Sequence, residues 1–152
     1  MPGRPTVLFL CPDNGALSLM AEAVALHRHP DLRPFSAAAA VPGPVDAALV
    51  AALEAEGIPA DGLSAKPAGV FLLSGAPRLD VVVALGEASR RAIRRQPFLG
   101  LLRLETWGLA EVVRSLPAPA RRSAYRRLLP DIGAAIARLE ERIALRLSGV
   151  AA

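Results

Sequence analysis

Two apolar stretches that do not alternate with polar residues, Thr6-Val7-Leu8-Phe9-Leu10 and the run from Leu79 to Leu85, constrain this chain more than anything else in it. A strand with one face in water alternates apolar and polar side chains, whereas an unbroken apolar run suits a strand buried on both faces. Such strands belong to parallel sheets covered by helices. The first run stops at Cys11-Pro12-Asp13-Asn14-Gly15, a dense cluster of turn formers. Ser18 then stands where a helix N-cap is expected. Met20, Ala23, Val24 and His27 share one helical face until Pro30 ends the segment.

The same alternation of element types continues along the chain. Phe35 to Ala39 reads as a short strand. Val45, Leu49 and Leu53 recur at helical spacing, with Gly57 placed as a C-terminal cap, so residues 45 to 56 read as a helix. Residues 57 to 78 are rich in Gly and Pro and read as loop. A helix over Glu87 to Arg95 follows the Leu79 to Leu85 strand, and Leu101 to Leu104 offers a fourth strand. From Pro119 onward the pattern is helical, with Ile132, Ile136, Leu139, Ile143 and Leu147 on one stripe. Pro130 is expected to kink or interrupt it, because it lacks an N–H and its ring clashes with the preceding turn. Strands alternating with helices predict an α/β fold: one parallel sheet with helices on both faces, joined by right-handed crossovers.

With 152 residues, of which 53% are hydrophobic and 21% charged, the chain has the size of one domain and enough apolar surface for a real core. Aromatics are only 4%, so stacking surfaces for bases or sugars are scarce. The net charge is +4, and every basic side chain except Lys66 is an arginine. The clusters Arg90, Arg91, Arg94, Arg95 and Arg121, Arg122, Arg126, Arg127 have only Tyr125 nearby as an aromatic, and Glu87 can pair with Arg91. They read as solvated helix faces, and nucleic acid is not expected as a partner. His27 reads as a satisfied helix-end residue and His29 as exposed, so no metal and no cofactor are implied. No apolar run approaches the ~18 residues of a membrane span. The single Cys11 excludes an internal disulfide and fits a reducing compartment, so the expectation is a cytoplasmic protein with no membrane partner. Nothing here bears on oligomeric state.

A cysteine at the carboxyl end of a strand, opening a loop that runs into a helix N-terminus, sits where amide N–H groups and the helix dipole favour an anion and a thiolate. A buried core cysteine is the plainer alternative. The surroundings decide between them. Val7 to Glu22 resembles the signature of the low-molecular-weight protein tyrosine phosphatases and of the thioredoxin-coupled type of arsenate reductase that shares their fold. There a strand leads into C-x5-R-S, with Asn at the third position after Cys and Met-Ala-Glu following. Cys11, Asn14, Ser18, Met20, Ala21 and Glu22 match in register. The resemblance continues through Ser36-Ala37, Gly57-Ile58, Ser64-Ala65-Lys66-Pro67 and Leu79 to Val83, to Trp107-Gly108-Leu109-Ala110-Glu111.

This resemblance implies a four-stranded parallel sheet of order 2-1-3-4. It implies Cys11 as nucleophile, Ser18 as hydrogen-bond partner of its thiolate, and Asn14 as the residue that shapes the cradle formed by Pro12, Asp13, Asn14, Gly15, Ala16 and Leu17. Glu111 takes the place of the Asp that protonates the leaving group. Lys66 belongs to a loop-packing motif. A phosphorylated protein or a small anionic ligand is the implied partner at the Cys11 loop.

The departures from the pattern all oppose oxyanion binding. The Arg that grips the phosphoryl oxygens is Leu17 here, with no donor at all. Pro12 removes a backbone N–H from the cradle. Asp13 adds a carboxylate, and a like charge ~5 Å away at an effective dielectric of ~20 costs on the order of 3 kcal/mol. Two readings follow. One is a member with a degenerate loop that binds without efficient turnover; the other is a working phosphatase, or a single-cysteine arsenate reductase using an external thiol, with a surrogate cation from elsewhere. An interaction module working through the arginine clusters is a third class, ranked below both.

Overall fold

The computed structural model describes residues 3–95, 103–109 and 112–149. Strand β1, Thr6–Cys11, is buried along its whole length, as its unbroken apolar sequence requires. Helix α1 covers Leu17–Arg28, β2 Arg33–Ala38, α2 Ala47–Ala55, β3 Val81–Leu85, α3 Glu87–Ile93, β4 Leu104–Trp107 and α4 Ala118–Leu147. All pairings are parallel, in the order β2-β1-β3-β4. The predicted α/β architecture and strand order are therefore those of the molecule.

Side-chain parity along the central strands splits the core into two layers. Val7, Phe9 and Cys11 of β1, with Val81, Val83 and Leu85 of β3, face α1, α2 and α4, where they meet Met20, Val24, Leu49, Leu53, Ile132, Ile136 and Leu139. Leu8, Leu10, Val82 and Ala84 face the other way, onto Ile93 of α3 and Ala68 in a short 3-10 turn over Ala68–Leu72. Apart from that turn, residues 57 to 78 are loop as expected.

Four local expectations need correction. The fourth strand is Leu104–Trp107, not Leu101 to Leu104; Leu101 and Leu102 lie outside the described residues. As an edge strand it alternates in exposure, so a search for an unbroken apolar run misplaces it. Helix α4 runs through Pro130 without interruption. Pro130 is on the exposed face, where water can satisfy the Arg126 carbonyl that its missing N–H frees. Ser18 is not the N-cap of α1: that position is Ala16, without a side-chain cap, because the Ser18 hydroxyl is turned toward Cys11. The histidines are reversed. His27 is exposed, whereas His29, at the C-cap of α1, is half-buried with its Nδ1 paired to Glu140 of α4.

The arginine clusters are tied down in part. Glu87 pairs with Arg90, three residues on, rather than with Arg91. Arg121 and Arg126 reach from α4 to Asp46 and Glu56 at the two ends of α2, so half of the second cluster clamps two helices together. Among the described residues no helix is long and apolar enough to cross a membrane. Among them, too, no three His, Cys, Asp or Glu side chains gather as a metal site.

Candidate active site

Because β1 ends at Cys11 and α1 begins at Leu17, the five residues between them form a loop at the carboxyl edge of the sheet. The Cys11 carbonyl and three carbonyls of the loop are held from the segment after β2. Ala39 N–H donates to Cys11, Ala40 to Pro12, Gly43 to Asp13 and Asp46 to Gly15, at 2.8 to 2.9 Å. The loop turns at Asn14, whose φ of 53° lies in the left-handed region that Asn tolerates better than other residues with a side chain.

Asn14 is the hub of a buried polar network. Its Nδ2 donates to Ser18 Oγ at 2.7 Å and to Ser36 Oγ at 3.0 Å, while its Oδ1 accepts from the Lys66 backbone N–H at 2.9 Å. The directions matter. Since Ser18 Oγ accepts from Asn14, its own proton is free to point at Cys11 Sγ, 2.8 Å away. Ser36 likewise accepts from Asn14 and donates to Glu22 Oε1 at 2.6 Å. Lys66 Nζ bonds the Ser64 carbonyl at 2.7 Å and lies 3.9 Å from Glu22. Burial lowers the Lys66 ammonium from its ordinary value, and the Glu22 carboxylate acts against that shift. Lys66 therefore braces the loop from beneath, in keeping with its loop-packing motif.

Above the loop is a cavity of about 300 Å³, lined by Cys11, Pro12, Asp13, Leu17, Leu109, Val112, Arg114 and Tyr125 among others. Its walls are largely apolar. Leu17 is half-buried and packs against the core as well as lining this space. Cys11 itself is 3% exposed. Asp13 turns back on its own loop: Oδ1 accepts the Gly15 N–H at 2.9 Å, and the carboxylate receives Arg114 Nη2 at 3.2 and 3.4 Å. The bare like charge expected from the sequence is thus a charge with a partner, and its second effect is to occupy a cradle amide.

Asp46 ties the site to the rest of the molecule. It caps α2 through the Ala48 N–H, accepts from Tyr125 Oη at 2.7 Å, and pairs with Arg121 at 3.1 Å. Burial alone would raise its carboxyl, but the Tyr125, Arg121 and Ala48 hydrogen bonds together with the Arg121 charge leave it below the ordinary value. Burial and the same Asp46 bond raise the Tyr125 hydroxyl.

Gly15 has no room for a side chain. A Cβ there would meet the Pro44 carbonyl oxygen at 2.7 Å, a backbone atom that cannot swing aside. Gly15→Ala is expected to lower stability by about 1–3 kcal/mol, as overpacking does, and to disturb the loop; urea denaturation measures the first.

Of the residues singled out in the sequence, Cys11, Asn14 and Ser18 come together in one hydrogen-bonded unit, with Pro12 to Leu17 around them. Glu111 lies outside the described residues. Sequence reasoning missed Arg114, Tyr125, Arg121 and Asp46. Only Asp46 had a local signal, an acidic residue directly before an apolar periodic run, which marks an N-cap.

The model of the low molecular weight phosphotyrosine protein phosphatase family matches residues 6–143. No curated protein matches significantly. Among solved structures, a low molecular weight protein tyrosine phosphatase from T. tengcongensis is 25% identical, with a TM-score of 0.69 over 91% of this chain and 99% of that one. Wzb of Vibrio vulnificus, solved with benzylphosphonate, superposes at 0.72 and 17% identity over 90% and 99%. An arsenate reductase in a phosphate-binding state superposes at 0.66 and 20% identity over 91% and 98%. With the strand order, the loop at the end of β1 and a match over nearly its whole length in agreement, this chain belongs to the low-molecular-weight phosphotyrosine protein phosphatase family.

Proposed function

We propose that this member of the family binds a phosphorylated protein segment or a small anion at the Cys11 loop and turns it over weakly or not at all. The observation that carries this reading is the state of the loop's donors. Leu17 presents methyl groups where the resemblance calls for a guanidinium, Pro12 has no N–H, and the Gly15 N–H is occupied by Asp13. Loss of one such transition-state donor typically removes ~10²- to 10³-fold in rate, and here more than one is missing.

Binding has a remaining cation. Arg114 lines the same cavity as Cys11, and its bond to Asp13 is exposed enough for solvent to screen it, so an incoming anion can displace the carboxylate at little cost. The same residue supports the alternative of an active phosphatase, or of an arsenate reductase using an external thiol, in which Arg114 serves as the surrogate cation.

Hydrolysis of an aryl phosphate by wild type, Cys11→Ser and Arg114→Ala separates the two. The expected result is equal background rates in all three, with vanadate binding weakened in Arg114→Ala. Turnover well above background that disappears in both variants would overturn the binding reading in favour of catalysis with Arg114.

A further inference from the structure

The opposite end of the sheet carries a second charged cavity. Each strand is preceded or begun by an arginine: Arg4 before β1, Arg33 at the start of β2, Arg78 before β3 and Arg103 before β4. The last turn of α4 adds Arg146. All five line one open cavity of about 630 Å³, floored by Pro5, Val81, Ile143 and Leu147. Parallel topology forces this gathering, because it places all four strand starts on one edge. Thr6 lies at this end of β1 and Cys11 at the other, on the order of 17 Å apart at ~3.3 Å per residue.

The charge is not balanced locally. Among the described residues Asp80 is the one carboxylate in the lining, and its Oδ2 already accepts the Thr6 N–H at 2.8 Å. Arg103 reaches Glu105 at 3.3 Å, but Glu105 is shared with Arg142. Burial lowers Arg103 from the ordinary arginine value; Arg146 and Arg142 add to that shift and Glu105 opposes it. Arg4 donates to the Pro30 carbonyl at 3.1 Å, and Arg33 lies over the Phe35 ring at 5.6 Å; neither contact neutralises a charge. Arg78 and Arg146 make no ion pair among the described residues. The dipole of α4 accounts for a cation at its C-terminus, which is Arg146, and not for the other four.

We propose that this cavity is a second anion site, which binds a small molecule carrying two or more linked phosphates. Adjacent strands are ~4.8 Å apart, so the strand starts flanked by Arg33, Arg4, Arg78 and Arg103 lie in a row about 14 Å long. A single phosphate engages one or two guanidinium forks, whereas a linked pair or triplet of phosphates spans the row. Among the described residues no aromatic side chain lines the cavity, so they offer no platform for the bases of a single-stranded nucleic acid.

Isothermal titration of the full chain with inorganic pyrophosphate at low and at physiological salt tests this. Saturable binding at this cavity is expected, tighter than for orthophosphate, and weaker at the higher salt. Arg78→Ala/Arg146→Ala should weaken it about tenfold or more, as loss of charge-assisted hydrogen bonds does. Both side chains are exposed and make no ion pair among the described residues, so the fold should survive; a circular dichroism melt checks this. Arg33→Ala is a second variant from the opposite end of the row, expected to weaken binding in the same direction. Binding that Arg78→Ala/Arg146→Ala weakens and that persists in Arg114→Ala belongs to this cavity, whereas binding that responds only to Arg114→Ala belongs to the Cys11 loop. The proposal falls if pyrophosphate gives no saturable binding, if it binds no tighter than orthophosphate, or if the arginine variants leave it unchanged. It also falls if Arg114→Ala abolishes binding, or if a short single-stranded RNA displaces pyrophosphate at equal phosphate concentration.

Discussion

Leu17→Arg/Asp13→Gly is expected to hydrolyse an aryl phosphate about 10²- to 10³-fold faster than the wild type, which should itself run near background. Leu17→Arg supplies the missing fork, but on its own it leaves Asp13 beside the introduced guanidinium as a rival for it. Asp13→Gly on its own releases both the Gly15 N–H and Arg114, the two groups that carboxylate now holds. The residues are neighbours in one hydrogen-bonded loop, so the double change should exceed the product of the singles. Adding Cys11→Ser should abolish the gain, because a hydroxyl is a far weaker nucleophile than a thiolate. Measured kcat/KM for wild type, both singles, the double and the triple decides the matter. A folded double variant no faster than wild type would mean that the loop does not seat the dianion even with these donors restored. Robust wild-type turnover would reject the weak-turnover reading directly.

Asp46→Ala should lower the unfolding free energy by about 3–5 kcal/mol, the range for removing one partner of a buried charged pair. One carboxylate, 8% exposed, caps α2 and holds both Tyr125 and Arg121 of α4. Without it a buried hydroxyl loses its acceptor, a largely buried guanidinium keeps, among the described residues, only the Leu116 carbonyl, and α2 loses its cap. Asp46→Asn keeps one oxygen to accept the Ala48 N–H and turns an NH2 group toward Tyr125 Oη, which can accept from it; the charge is lost but the pocket stays filled, so it should cost less. The acid response follows from the lowered carboxyl. As pH falls, the unfolded chain takes up this proton before the folded chain does. The contribution is therefore full above pH ~4, the ordinary carboxylate value, and is lost as pH falls through the lower folded value. Urea midpoints from pH 6 down to 2.5 should drop more steeply in the wild type than in Asp46→Asn.

How much was legible in the sequence depended on how local the signal was. The β1 loop and α1 are contiguous in the chain, so Cys11, Asn14 and Ser18 could be read in register with a family pattern. The structure brings the three within hydrogen-bond reach. The central strands were legible because burial on both faces leaves an unbroken apolar run, whereas β4 at the edge leaves none. The Asp13–Arg114 pair spans 101 residues and the Asp46–Tyr125 bond 79, and nothing in the local pattern of either partner announces the other. Ser18 was misread as a cap because the same hydroxyl satisfies either a helix amide or a neighbouring thiol, and only the fold chooses. Pro130 was misread because the propensity argument weighs a lost hydrogen bond and not the solvent face on which it is lost.

The way the loop is suspended bears on how such a protein can change over evolutionary time. Its bend is set by main-chain bonds from residues 39–46 to the carbonyls of Cys11, Pro12, Asp13 and Gly15, and by the buried amide of Asn14. None of these contacts uses the side chains at positions 12 or 17. The mould is thus independent of much of what is cast in it. Substitutions at such positions can discard or reinstate chemistry without rebuilding the scaffold, so lineages with and without turnover can stand a few codons apart.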